Sequence, residues 1–299
     1  MVKFGGPVFL SNNEVAGTEK SHGENQGLVS LDPELLVAKH KEKGFKSAYV
    51  PNIDLKDTVL IKATRAAFER EGIVLAEAGY WENIMDSDEA TRNFHRGKMV
   101  ETFYLAEELG ARCAVNIFGS YCYGNGNSQH SGKNFSDDAF AEAVDMARYF
   151  IDTVKPKTTY FTYEIFPFNI VDSVDSMEKL IKAVDRKMFG VHFDLCNLIN
   201  DPRKYFYHVD VLNEVINKLG KYIVSAHIKD IKLKEPAISV ILEEVPPGEG
   251  IINFGALFKA INELPGDVPA LMEHLNNEGE YDAAAAYIRS EVKKVGIDI

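Results

Sequence analysis

The sequence predicts a single-domain α/β protein, a (β/α)8 TIM barrel spanning residues 1–299. Three observations predict it. Apolar runs of strand length alternate with amphipathic helical stretches from end to end, and strict alternation implies a parallel sheet. Eight such units divide 299 residues into repeats of about 37, which fits a closed barrel. The open, doubly wound alternative often carries a Gly-rich dinucleotide turn after an early strand, and none is present.

The first unit is a strand over 2–10 and a helix over 33–43, with Asp32 as N-cap and Gly44 beyond its end. A second strand, 47–50, is closed by Pro51 and followed by a helix over 57–71 that Gly72 stops. Strand three, 73–78, leads to a long helix over 87–109, opened by Asp86 or Ser87 and ended by Gly110. Strand four, 113–118, is followed by a polar loop, 119–136, and a helix over 137–153. Strand five, 160–166, is stopped by Pro167, and its helix covers 177–185. The last three units pair strands 189–194, 223–228 and 270–274 with helices 209–219, 254–262 and 281–294. No composition shift, repeat or low-complexity tract marks a domain boundary. Loops 12–31 and 119–136 both follow strands, which places them on the catalytic face, where such loops form lids and walls.

Composition narrows the function. A chain that is 45% hydrophobic and 26% charged has the profile of a globular protein with a large core. The net charge of −12 argues against nucleic acid, whose binding relies on Lys and Arg neutralising phosphates. It permits a neutral substrate, or an anionic one met by a local basic group. No apolar run reaches the roughly 18 residues of a membrane span. The N-terminal run is too short and Gly-rich for a signal peptide, so the expected location is cytoplasmic. Cys113, Cys122 and Cys196 form no CxxC pair, against a thiolate zinc site or a disulfide framework, and read as buried, inert thiols.

Functional groups of such a barrel sit at the carboxyl ends of its strands. Strand five ends on Glu164, strand six on His192-Phe-Asp194, strand seven on His227-Ile-Lys229 and strand eight on Glu273-His274. Three carboxylates and an imidazole suit one divalent ion, Mn²⁺ first, with Mg²⁺, Co²⁺ or Zn²⁺ as alternatives. A closed structural zinc site would be richer in Cys and His. The competing interpretation is a buried salt-bridge network, but buried acids are costly unless paired, and only one Lys is near. A metal that chelates a carbonyl and the adjacent hydroxyl acidifies the neighbouring C–H, and a carboxylate beside that carbon can move the proton.

The ordered strand ends, with "EVPPGEGIINF" at 244–254 and "LMEHL" at 271–275, resemble the sugar phosphate isomerase/epimerase superfamily. These xylose isomerase-like barrels include ketose 3-epimerases, inosose dehydratases and apurinic endonucleases. The resemblance implies Glu164, Asp194, His227 and Glu273 as metal ligands. Its epimerase branch implies Glu164 and Glu273 as the acid/base pair on opposite faces of the substrate. The chain departs from the ketose 3-epimerase pattern at Ile170, Asn197 and Leu233, where that branch usually has Glu, His and Arg. "HIKD" at 227–230 is closer to the inosose dehydratase branch. No Asp-x-His lies between His227 and Glu249, which excludes the endonuclease branch. The resemblance also implies a homo-oligomer.

Further residues are candidates for substrate binding. His192 shares the inward face of Asp194, and Lys229 that of His227. Glu77 and Trp81 follow strand three, where an indole can stack on a sugar ring. Glu249 sits in a "PGEG" turn whose glycines permit close approach. His130 lies in the lid loop, the facing of Asn116 is open, and His274 should point away from Glu273's side. The expected function is a divalent-metal-dependent isomerase or epimerase of a small sugar or keto-sugar. The alternative is a metal-dependent lyase or dehydratase acting on a keto-sugar, cyclitol or oxidised glycoside. A non-catalytic sugar-binding subunit is the third reading, and it would not need two carboxylates placed for proton transfer. No Gly-rich phosphate signature is present, which favours a non-phosphorylated substrate.

Overall fold

The computed structural model describes residues 1–10, 32–124 and 129–299, together with the backbone of two short paired strands, Glu19–Lys20 and Leu28–Val29. Eight parallel strands close into a barrel in chain order. They are β1 (Val2–Gly5), β2 (Ser47–Tyr49), β3 (Val74–Gly79), β4 (Cys113–Asn116), β5 (Tyr160–Glu164), β6 (Phe189–Asp194), β7 (Ile223–Ile228) and β8 (Val268–Met272). β8 pairs with β1 through Val2↔Val268, and Gly5↔Ser47 closes the ring. Eight principal helices surround it: α1 (Pro33–Glu42), α2 (Thr58–Glu71), α3 (Glu89–Leu109), α4 (Asp137–Val154), α5 (Val174–Val184), α6 (His208–Leu219), α7 (Phe254–Asn262) and α8 (Glu278–Lys293). The predicted barrel is therefore the observed one. Among the described residues no helix is long and apolar enough to cross a membrane.

Most helix starts are written in polar side chains. Asp32, Asp57, Asp88, Ser136, Ser173, Asn253 and Asn277 each accept a hydrogen bond from a backbone N–H of the first turn. Ser173 and Ser176 form a reciprocal capping box, so α5 starts three residues earlier than its apolar pattern suggests. The first strand stops at Gly5 rather than running to Leu10, and the eighth stops at Met272, leaving Glu273 and His274 beyond its end. Two short helices, Leu195–Leu198 and Pro202–Phe206, and a hairpin of Asp230–Leu233 with Leu242–Val245 decorate the carboxyl end of the barrel. The alternation pattern did not reveal them.

The alternation of side chains along each strand sorts the core. On β5, Phe161 and Tyr163 turn outward. Phe161 packs against Phe103 of α3 and Phe150 of α4, with ring centroids 5.8 and 5.1 Å away. The intervening Thr162 and Glu164 turn into the barrel. Likewise His192 and Asp194 alternate with Val191 and Phe193 on β6, and Ser225 and His227 with Val224 and Ala226 on β7. All of these inward polar groups are buried. Cys113 and Cys196 are buried free thiols and Cys122 is half-buried.

Candidate metal centre

Register places the ligands. Asp194 lies directly across from His227 in the β6–β7 ladder, while Glu164 ends β5 and Glu273 follows β8. One ligand atom from each of Glu164, Asp194, His227 and Glu273 falls within 4.8 Å of all the others. His227 Nδ1 is 3.0 Å from Glu164 Oε1 and 3.0 Å from Glu273 Oε2. Asp194 also caps the short helix after β6, its Oδ1 accepting from Asn197 N at 3.1 Å, and Asn197 Nδ2 donates to Glu164 Oε1 at 3.1 Å. Asn197 thus braces two ligands at once.

Lys229 brings an ammonium into the cluster. Its Nζ lies 3.0 Å from both Asp194 Oδ2 and Glu273 Oε2, and 3.4 Å from Glu244 Oε1. Asp194 Oδ2 and Glu273 Oε2 are nonetheless buried without a hydrogen bond of good geometry. The three carboxylates do not behave alike: burial opposes charge on Glu164 and Glu273, but the His227 imidazole and Lys229 outweigh it and hold both low. Burial pushes Asp194 up to about 6, with Glu164 and Glu273 adding repulsion and Lys229 opposing. Burial opposes charge on His227 too, yet Glu273, Glu77 and Glu164 together hold its imidazole well above the usual range. Orphaned carboxylate oxygens converging with an imidazole nitrogen fit a divalent cation with oxygen and nitrogen donors. In that role Glu164, Asp194, His227 and Glu273 would hold the ion.

Glu77 and His192 face into the barrel beside the cluster. Both are buried, Glu77 at 1% and His192 at 0% exposure, and Glu77 meets His227 at Nε2, the nitrogen that does not face Glu164 and Glu273. Glu77 Oε2 lies 2.5 Å from His192 Nε2 and its Oε1 3.0 Å from His227 Nε2. Burial alone would raise Glu77, but the His227 and His192 imidazoles outweigh it and bring the carboxyl to about 2. The sequence expectation is that Glu77 and His192 both contact substrate; in the structure each is engaged with the other, and Glu77 with His227 as well. Glu249, another expected substrate contact, lies in the turn after the hairpin. Its side chain is exposed, and the glycines beside it turn to Asp230, which accepts from Gly248 N and Gly250 N at 2.9 and 3.0 Å.

Trp81 and Lys229 are at the cluster. The Trp81 ring centroid is 6.1 Å from that of His227. Its indole lies on the Gly79 backbone, where a Cβ would come within 2.5 Å of Nε1. Asn116 is not at the site; its amide donates to Tyr80 O and Glu82 O and its oxygen accepts from Phe118 N, tying down the loop after β3. His130 stacks on Phe168 at 3.9 Å. His274, in the left-handed backbone region with φ 60°, turns to Glu244 Oε2 at 2.6 Å. Glu244 escaped the sequence reading because its hairpin has no apolar periodicity. Asn197 carried a weak signal, the Asp-x-x-Asn spacing of a capped turn.

Comparison with known proteins agrees with this architecture. A model of the xylose isomerase-like TIM barrel family matches residues 37–291. L-ribulose-5-phosphate 3-epimerase UlaE of Escherichia coli is 23% identical over 215 residues, covering 70% of this chain and 68% of that protein. A xylose isomerase-like TIM barrel protein from Mycobacterium smegmatis, solved in complex with magnesium, superposes with a TM-score of 0.62 at 17% identity, covering 91% of this chain and 93% of that one. The probable 3-DHS dehydratase AsbF of Bacillus anthracis, involved in petrobactin synthesis, superposes at 0.65 with 16% identity over 89% of this chain and 94% of its own. With the matched segment taking in seven of the eight strands and all four candidate ligands, the chain belongs to the xylose isomerase-like TIM barrel family.

Proposed function

We propose that the chain is a divalent-metal-dependent isomerase or epimerase of a small sugar or keto-sugar. The observation that carries this reading is the convergence of Glu164, Asp194, His227 and Glu273 within 4.8 Å, two of the three carboxylates having a buried oxygen without a hydrogen bond. The similarity to an L-ribulose-5-phosphate 3-epimerase and to a magnesium-bound barrel supports it. A bound ion would supply Lewis-acid polarisation of a substrate carbonyl. Glu164 and Glu273 come from strands separated by β6 and β7, and serve as base and acid toward the carbon beside that carbonyl. Trp81 forms an apolar wall for the sugar, and Lys229 donates to a substrate oxygen. Mn²⁺ is the expected ion, with Mg²⁺, Co²⁺ and Zn²⁺ as alternatives, and the working form is expected to be a homo-oligomer.

One observation favours a second reading, a lyase on the same scaffold. Lys229 sits 3.0 Å from two candidate ligands, where a proton donor for a departing oxygen would be needed. Epimerisation needs no such donor. His192, the other candidate, is sealed beneath Glu77. The similarity to a probable dehydratase accords with it.

The test is NMR of a keto-sugar panel incubated in D₂O with Mg²⁺-loaded protein. Deuterium should enter at the carbon beside the carbonyl, and Glu164→Gln and Glu273→Gln should each abolish it. Undiminished exchange in both variants refutes proton transfer by these glutamates. An epimeric product supports the first reading and an unsaturated product the second.

A further inference from the structure

A histidine ligand presents one ring nitrogen to its ion, so the proton must sit on the other. His227 Nδ1 faces Glu164 Oε1 and Glu273 Oε2 at 3.0 Å each, on the side where the candidate ligands converge. Its Nε2 faces the barrel interior and meets a single acceptor, Glu77 Oε1, at 3.0 Å. Glu77 is itself locked: Oε2 pairs with His192 Nε2 at 2.5 Å and lies 3.4 Å from Ser225 Oγ. The carboxylate is 1% exposed, with both oxygens committed to imidazoles of two adjacent strands. A buried charge of this kind is costly unless its partners repay the lost solvation.

We propose that Glu77 is a positioning residue that fixes His227 as the Nε2–H tautomer and so turns the Nδ1 lone pair toward the ligand cluster. An acceptor behind a ligating histidine orients the ring and raises its basicity. His192, donating Nε2–H to the same carboxylate, holds Glu77 in register with His227. Its ring centroid is 4.2 Å from that of His227 in an edge-on arrangement, which leaves His227 little room to rotate. The inference rests on the metal reading of the site and adds to it the control of ligand orientation from a residue that does not touch the ion.

Two measurements test it. Titration with Mn²⁺ alone should show Glu77→Met binding roughly 10- to 100-fold more weakly than the parent protein, the range typical of partners behind metal ligands. A purely structural role for Glu77 would lower thermal stability and leave the affinity of the folded protein unchanged, which overturns the proposal. The second measurement needs no variant. In Zn²⁺-loaded protein labelled with ¹⁵N-histidine, two-bond ¹H–¹⁵N correlation should give His227 a protonated Nε2 and a metal-bound Nδ1. The reverse assignment overturns the proposal even if Glu77→Met fails to fold. Parent protein that takes up no Mn²⁺ or Zn²⁺ overturns the metal reading and this one with it. Uptake by the parent with unaltered affinity in Glu77→Met overturns this one alone.

Discussion

The ammonium of Lys229 lies 3.0 Å from Asp194 Oδ2, so the cluster carries its own cation beside a candidate ligand. Burial disfavours that charge, but Asp194, Glu273 and Glu164 hold it well above the ordinary lysine value, and Lys229 stays protonated. A fixed positive charge this close repels an incoming divalent ion. Lys229→Met should therefore bind Mn²⁺ at least about tenfold more tightly, which corresponds to about 1.4 kcal/mol. Turnover of a keto-sugar substrate should fall in the same variant, because the donor to substrate oxygen is gone. Calorimetric titration and a rate assay check the pair; weaker Mn²⁺ binding would show that Lys229 supports the ion instead.

Removing a ligand should have the opposite effect on the metal. Asp194 contributes a buried oxygen to the cluster and caps the Leu195–Leu198 helix through Asn197 N. Asp194→Ala should lose stoichiometric divalent metal by elemental analysis and cost about 1 kcal/mol of stability from the lost cap. A variant that keeps one full equivalent of metal would remove Asp194 from the ligand set.

Much of this site was legible because barrel chemistry is confined to strand ends. The sequence shows where an apolar run stops: β5 and β6 stop on Glu164 and Asp194, and His227 is the last residue but one of β7. Period-two alternation then told which polar residues share a face. It could not tell depth. His192 and Asp194 share a face, yet one is sealed under Glu77 and the other opens onto the ligand cluster, a distinction made by barrel stagger and by Glu77 arriving from β3. The hairpin bearing Glu244 was illegible for another reason. It is a two-stranded excursion outside the barrel, held by Asp230, and neither the helical nor the strand period applies to its turn.

That excursion depends on one close approach. Asp230 accepts backbone N–H groups from Ile231, Gly248, Gly250 and Ile252, which draws residue 250 against the carboxylate. A Cβ at Gly250 would lie 2.2 Å from Asp230 Oδ1 and 2.5 Å from Ile231 O. Backbone cannot yield that far without breaking the hydrogen bonds. Gly250→Ala should cost roughly 2–3 kcal/mol and lower Tm by several degrees. The same change should loosen Glu244 from Lys229 and His274. Differential scanning calorimetry tests the stability, and a Tm equal to the parent's would mean the loop has another way to pack.

Stability should also depend on a histidine far from the metal cluster. His40 of α1 is buried against Phe45 and Phe68, with ring centroids 6.4 and 5.7 Å away, and its Nδ1–H donates to Leu36 O at 2.8 Å. Burial lowers its pKa from 6.5 to about 4, against a smaller opposing contribution from the Leu36 hydrogen bond. The folded state thus binds a proton less readily than the unfolded chain. Below pH 6.5 the unfolded chain takes up the proton first, so folding stability falls with pH until the folded pKa near 4 is passed. Between pH 7 and pH 5 this one group should remove about 2 kcal/mol. His40→Gln cannot titrate. It should be less stable than the parent at pH 7, from poorer packing, and should lose about 2 kcal/mol less than the parent on going to pH 5. Urea denaturation of both proteins at the two pH values measures the difference. Equal losses would mean that His40 gains solvent or a partner on acidification, and that burial does not set its proton affinity.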